Sequence, residues 1–287
     1  VPTNLTPTQR RLLTWAQAHG RDLPWRHTRD PWAVLVSEVM LQQTQVSRVI
    51  PVWHAFLDRF PTPRRCAEAG QAAVVTAWHG MGYNRRAVNL HRCAAAIVEH
   101  HGGAVPDTLD ELLALPGIGA YTARAVLAFA FEQPVGIVDV NVARVHARLR
   151  GQALSARELQ RAADDATPRA QPWSWNQAML DLGATVCTKR APDCTRCPLT
   201  EECGWRAIGA DPAPLGSRQS RFEGSDRQGR GRLVAALRNG AVSCEPSELA
   251  ATMGWPDDPE RCLRVALTVV ADGLAQWNDQ CGSLSLR

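Results

Sequence analysis

Four cysteines close together constrain this chain more than any other feature. Cys187, Cys194, Cys197 and Cys203 read C-x6-C-x2-C-x5-C. Four thiolates supplied by one short loop can hold a single metal centre, either an iron–sulfur cluster or a structural zinc. Zinc sites usually pair their cysteines as two C-x2-4-C knuckles, and only one gap here is that short. The gaps of six and five residues suit a larger cluster that needs room between its corners. Four unrelated buried thiols are the plain alternative. The other cysteines, Cys66, Cys93, Cys244, Cys262 and Cys281, are scattered and read as small core residues. Nine cysteines with no visible signal peptide point to a reducing compartment, the cytoplasm, and to metal binding rather than disulfides.

At 287 residues and 45% hydrophobic, the chain has material for two ordinary domains, or one large and one small. A formal net charge of +4 is compatible with a nucleic-acid partner. The only lysine among 32 basic residues is Lys189, between two of the clustered cysteines. Arginine bias of this kind follows from codon usage, but it has a chemical consequence. Any mechanism that needs a Schiff-base lysine has one candidate. No apolar run reaches the roughly 18–20 residues of a membrane span, so no membrane partner is expected. No coiled-coil pattern is present, and a monomer is expected.

Residues 1–205 read as one large, mainly helical domain. Apolar residues recur at helical spacing over 33–59, with Pro51 expected to open a second helix. Further helical patterns cover 67–78, 85–101, 109–115, 121–131 and 139–150, separated by short Gly- or Pro-bearing breaks. The composition changes over 206–224 to Gly, Pro, Ser and Arg, the pattern of a linker or extended arm. Residues 225–287 then predict helices at 226–239, 246–253 and 259–272, followed by strands at 273–277 and 283–286 with Asn278, Asp279 and Gly282 in the turn. Three helices and a hairpin make a small winged-helix-like domain, serving either as a DNA reader or as an accessory packing module.

The segment LPGIG at 115–119 joins two predicted helices through Gly117, Ile118 and Gly119. Glycine permits a tight turn and close approach to a ligand. The N-terminus of the following helix offers free N–H groups and a positive dipole end, which suit a DNA phosphate. Twenty residues on, Asp139 stands at the edge of the apolar run in IVDVNVARV and is placed to N-cap the next helix. A carboxylate there can also stabilise developing positive charge. Glu38 lies inside the apolar helical run LVSEVMLQQTQV, where burial favours its protonated form. One raised-pKa acid and one ionised acid are the pair needed to break a glycosidic bond.

With the four-cysteine loop, these residues resemble the helix-hairpin-helix glycosylases that carry an iron–sulfur cluster. RDLPWR (21–26), SEVMLQQTQV (37–46), GYNRRAVNLH (82–91), LPGIGAYTA (115–123) and NQAMLDLGATVC (176–187) resemble the MutY-type adenine DNA glycosylases, in order, across about residues 10–205. The resemblance implies a helix-hairpin-helix fold with a [4Fe–4S] cluster held by Cys187, Cys194, Cys197 and Cys203. It implies a bacterial, nucleoid-associated repair enzyme acting on double-stranded DNA with a mispaired adenine. Glu38 matches the acid that protonates adenine at N7. Asp139 matches the carboxylate that stabilises the oxocarbenium-like sugar, with Asn141 beside it, and Tyr121 matches the tyrosine next to these carboxylates. Arg21, Leu23, Trp25, Arg26 and Gln177 match adenine-pocket positions, and Gln43 and Tyr83 match residues that wedge into the base stack.

Relatives resembling endonuclease III carry lysine at the position of Tyr121 and use it to cut the strand. Tyrosine here implies a monofunctional enzyme that excises adenine opposite 8-oxoguanine, or opposite guanine, and leaves an abasic site. The chain departs from the family pattern twice. Asn84 stands where a second tyrosine is usual, and 206–287 is too short for the Nudix-like domain that helps read 8-oxoguanine. The competing readings are a mismatch thymine or uracil glycosylase on the same fold and a non-catalytic DNA-binding protein.

Overall fold

Local sequence sets most helix starts. Thr6 and Gln9 form a reciprocal capping box in front of Pro7–His19, and Ser155 with Glu158 does the same for Ala156–Ala166. In the computed structural model, which describes residues 5–213, 221–278, 280 and 282–287, the chain is mainly helical. Asp279, Cys281 and residues 214–220 of the expected linker lie outside the described residues. No helix among the described residues is long and apolar enough to cross a membrane.

The chain divides into two compact units. The first takes Val1–Leu35, Asp107–Leu113 and Gly119–Ser217. Its core joins Leu12 and Leu13 to Val142, Val145, Trp175, Met179, Leu182 and Val186, so helices distant in sequence share one apolar centre. The second takes Val36–Pro106, Ala114–Ile118 and Arg218–Arg287. Phe56 packs edge-on against Phe60 and Trp78, with Val49, Val74, Val88 and Ile97 buried. Cys66, Cys93 and Cys262 are fully buried, as expected of small core residues, whereas Cys244 is partly exposed. Burial pushes the Cys66 and Cys93 thiols up to about 12, so both stay neutral.

The break expected at Pro51 lies elsewhere. Helices Pro31–Leu41 and Val46–Arg59 are separated at 42–45, and Pro51 sits inside the second. Gln43 has φ +55°, a left-handed conformation that ends the first helix whatever the side-chain periodicity says. The pattern at 67–78 likewise divides into Pro63–Glu68 and Gln71–Ala77 around Gly70, whose φ is +79°.

The C-terminal segment forms helices Asp226–Leu237, Pro246–Met253 and Pro259–Ala271 and strands Val242–Ser243, Ala275–Asn278 and Ser283–Leu286. The strands pair antiparallel, with Ser283–Leu286 in the centre. Val242–Ser243 was not expected. Two residues show no alternation, and only pairing with Leu284 and Ser283 makes them a strand. Helix, strand, two helices and hairpin is a winged-helix layout.

Candidate active site and nucleic-acid interface

Asp139 caps helix Val140–Arg150. Its Oδ1 accepts from the backbone N–H groups of Asn141 (2.9 Å) and Val142 (2.7 Å), and its Oδ2 accepts from Asn141 Nδ2 (2.8 Å). Three donors fix the carboxylate on a rigid helix start. Arg144, one turn on, donates to Asn141 Oδ1 (2.9 Å), to Gly183 O (2.7 Å) and to Cys187 O (2.8 Å). Helix Pro172–Asp181 widens there into the π turn Leu182–Val186, which delivers Cys187. A Cβ on Gly183 would come within 2.8 Å of Asn141 Cβ, so this crossing needs glycine. The expected cap is therefore present, and it is continuous with the first clustered cysteine.

Glu38 is 4% exposed on Pro31–Leu41, a helix whose residues from Trp32 to Met40 are all buried. It belongs to the second unit, and Asp139 to the first. Tyr121 is partly buried in the first turn of Ala120–Phe129.

The hairpin glycines are not equivalent. Gly117 has φ +77°, and a Cβ there would meet Asn89 Cβ at 2.6 Å, whereas a Cβ on Gly119 meets nothing. Gly117→Ala is expected to lower stability by more than the roughly 1–2 kcal/mol of a left-handed alanine, because Asn89 must also move. Gly119→Ala should leave the thermal midpoint nearly unchanged. Equal midpoints for the two variants in thermal melts would contradict this geometry.

Arg21, Arg26 and Gln177 line one recess of about 390 Å³. Leu23 and Trp25 are buried, 7% exposed each, and are not among its lining residues. The recess is organised by a residue that sequence reasoning missed, Asp181, which is 1% exposed. Arg26 grips it through two bonds of 2.8 Å, and Arg21 adds its Nε (2.6 Å) and backbone N–H (3.0 Å). Burial alone would raise the Asp181 carboxyl. The hydrogen bonds and charge of Arg26, with those of Arg21, outweigh it and hold the group below the usual carboxylate range. Arg26 Nε is buried and finds no acceptor among the described residues.

Gln43 and Tyr83 line a second, larger cavity of about 880 Å³. They are two of the three described non-glycine residues with positive φ, and Tyr83 remains 42% exposed. Strained backbone of this kind persists only where its surroundings hold it. Arg86 provides the hold. It donates to Val39 O and Met40 O (2.9 Å each) at the end of Pro31–Leu41, to Thr44 Oγ1 (2.9 Å) and to Met81 O (3.2 Å). One guanidinium thus ties both loops together, with its plane near the Trp78 and Tyr83 rings. Burial lowers it to about 10, and it stays charged at neutral pH.

Cys187, Cys194, Cys197 and Cys203 line one small recess with Val186 and Trp205. Arg148 Nη1 stands 3.4 Å from Cys187 Sγ and donates to Thr188 O (2.7 Å), while its Nη2 donates to Asp211 Oδ2 (2.7 Å). Among the described residues no group of three or more His, Cys, Asp or Glu is arranged to hold a single metal ion.

Residues 36–168 match the family model of HhH-GPD superfamily base excision DNA repair proteins. An adenine DNA glycosylase of Mycolicibacterium smegmatis is 43% identical over 270 residues, 92% of this chain and 91% of that relative. The chain belongs to the adenine DNA glycosylases of this superfamily. The human adenine DNA glycosylase is 41% identical over 207 residues, 67% of this chain and 38% of that protein. A solved thermostable thymine-DNA glycosylase superposes with TM-score 0.67 at 29% identity, covering 70% of this chain and 95% of that one. Endonuclease III in a non-covalent DNA complex gives TM-score 0.60 at 26% identity over 72% of this chain and all of that one.

As an adenine DNA glycosylase, the protein binds DNA and removes adenine in base-excision repair. Three residues of the candidate site went unread in the sequence: Asp181, Arg86 and Arg144. An acid inside the apolar run MLDLGA does signal a buried pair. That Arg21 and Arg26, about 155–160 positions away, are its partners has no sequence signal.

Proposed function

We propose that the enzyme excises adenine mispaired with 8-oxoguanine, and with guanine, by hydrolysis, and that it does not cut the strand. The observation that carries this reading is the carboxylate of Asp139, aimed by Asn141 and two backbone donors at a helix start, in a chain whose hairpin is followed by Tyr121 and not by lysine. A base within a duplex hides its glycosidic bond, so the adenine is first turned out of the stack. Gln43 and Tyr83, held by Arg86, fill the gap. The recess of Arg21, Arg26 and Gln177 receives the base, with Arg26 Nε as an unspent donor.

Glu38 gives a proton to adenine N7. The C1′–N9 bond breaks and its electron pair passes to the protonated base, which leaves as neutral adenine. The Asp139 carboxylate offsets the positive charge on the sugar. Water adds at C1′ and loses a proton, leaving an abasic site. Backbone N–H groups near Gly117, Ile118 and Gly119 take a phosphate. The protein acts as a monomer.

The donor set fits a [4Fe–4S] cluster. Four cysteines line one recess, and Arg148 beside Cys187 would offset the negative charge their sulfurs carry as ligands. When bound, the cluster would cross-link the 187–203 loop and shape it for DNA, with no part in bond breaking. Cys197→Ser should lower iron content and duplex affinity together and reduce the thermal midpoint. Full iron loading of this variant with unchanged affinity would exclude Cys197 as a ligand.

Base release from duplexes carrying A opposite 8-oxoguanine, G, C and T tests the main reading. Release from A:8-oxoguanine, with strand breaks appearing only after alkali, is the expected result. Thymine release from T:G with no adenine release would move the enzyme to the activity for which its structural neighbour, a thymine-DNA glycosylase, is named. Tyr121→Lys should create a borohydride-trappable protein–DNA adduct, since an amine at this point can attack C1′. Absence of any trapped species would argue against the placement of Tyr121 beside the sugar.

A further inference from the structure

The 880 Å³ cavity has a second wall that the adenine-excision reading leaves unassigned. Opposite the loops bearing Gln43 and Tyr83, it is lined by Phe222 and by helix Asp226–Leu237 of the C-terminal module. Six arginines line it, Arg48, Arg85, Arg86, Arg227, Arg230 and Arg238, against one carboxylate, Asp272. Asp272 is already engaged by Arg230 (2.6 Å) and Arg85 (3.3 Å). Six guanidinium groups against one carboxylate leave the lining with net positive charge, which favours a polyanion. Both walls also carry an exposed aromatic ring, Tyr83 at 42% and Phe222 at 56%. Arginines interleaved with exposed rings are the chemistry of an unpaired nucleotide strand, whose phosphates take the charge and whose bases stack.

Specific bonds hold the two walls together. Arg238 donates to Asn84 Oδ1 (2.9 Å), beside the wedge residue Tyr83, and to Val75 O (3.1 Å). Gln71 donates to Gly273 O (2.6 Å). Asn84 is the position at which this chain departs from the double tyrosine of its family, and here its side chain is the acceptor that joins the wedge loop to the C-terminal module.

We infer that this cavity is a second nucleic-acid site, which takes the strand opposite the extruded adenine. Arg48 and Arg227 bind its phosphates, and Phe222 stacks on the purine left without a partner. The C-terminal module is then half of the lesion-reading surface. The inference rests on the reading of Gln43 and Tyr83 as the wedge.

The test uses the full, cluster-loaded protein carrying Glu38→Gln, so that bound duplex persists. Affinity for an A:8-oxoguanine duplex is measured by anisotropy across a salt series, with and without Arg48→Ala/Arg227→Ala. Loss of two phosphate contacts should lower the slope of log K against log salt by about 1.8, at about 0.9 per phosphate. Phe222→Ala, in the same background, should weaken quenching of 2-aminopurine placed opposite the adenine and leave quenching at a distant paired position unchanged. An unchanged salt slope in an arginine variant that melts like its parent would overturn the assignment, as would unchanged quenching in Phe222→Ala. The wild-type excision assay separates the two readings. Adenine release with an unchanged slope keeps the enzyme's activity and removes the second site, whereas a lowered slope without adenine release keeps the site and removes the proposed substrate.

Discussion

Glu38→Gln is expected to reduce adenine release by at least about 10²–10⁴-fold, the usual contribution of a general acid, while duplex affinity stays close to wild type. Glutamine keeps the shape of the side chain and its hydrogen-bonding reach, but it has no proton to give. Adenine leaves poorly as an anion, so removing the acid removes the low-energy route for C1′–N9 cleavage. Glu38 is 4% exposed, so the substitution leaves the outer DNA-binding surface unchanged, and the near-isosteric amide keeps the contact with the extruded base. Single-turnover release and anisotropy on the same preparation check both halves. Excision at more than a tenth of the wild-type rate would pass the acid's role to another group.

The second large effect is on stability. Asp181→Ala should destabilise the first unit by about 3–5 kcal/mol, the cost of leaving buried charge without its partner. Arg26 is 8% exposed and Arg21 32%, and both lose their anion at once. The same pairing gives a pH signature. The folded-state pKa of Asp181 lies below its unfolded value, so the stabilisation is fully present above the unfolded carboxylate range near about 4. It is lost as pH falls through the folded value. The stability gap between wild type and Asp181→Ala, measured by denaturant melts, should be widest near neutral pH and narrow below about pH 4. A gap that stays constant into acid would mean that the carboxylate's charge contributes nothing, and that the loss at neutral pH is one of packing.

Placing Arg21 and Arg26 on Asp181 alters what the RDLPWR motif does. Its arginines build a rigid recess around a buried carboxylate, and under the proposed function only their remaining donors are left for a base. The same economy appears at Arg86, which satisfies the last carbonyls of Pro31–Leu41 and locks the loops of Gln43 and Tyr83. Arg144 aims Asn141, and through it Asp139, while holding the chain that leads to Cys187.

Sequence alone determined the local features of this protein. Capping residues such as Asp139, helical periodicity over 85–101, the turn glycines and the cysteine spacing act over a few residues, and local energetics decides them wherever the segment packs. That Tyr121, and no lysine, follows the hairpin is equally plain in the string of residues. The tertiary structure decided the rest. The left-handed backbone at Gln43 and Tyr83 lies in loops that Arg86 ties together, and strand Val242–Ser243 exists because Leu284 and Ser283 pair with it. Asp181 with its two arginines, and Arg238 with Asn84, depend on charges and donors more than 150 positions apart. Such pairs are worth forming only once burial has removed the water that would otherwise solvate each partner, and no local pattern encodes where that will happen.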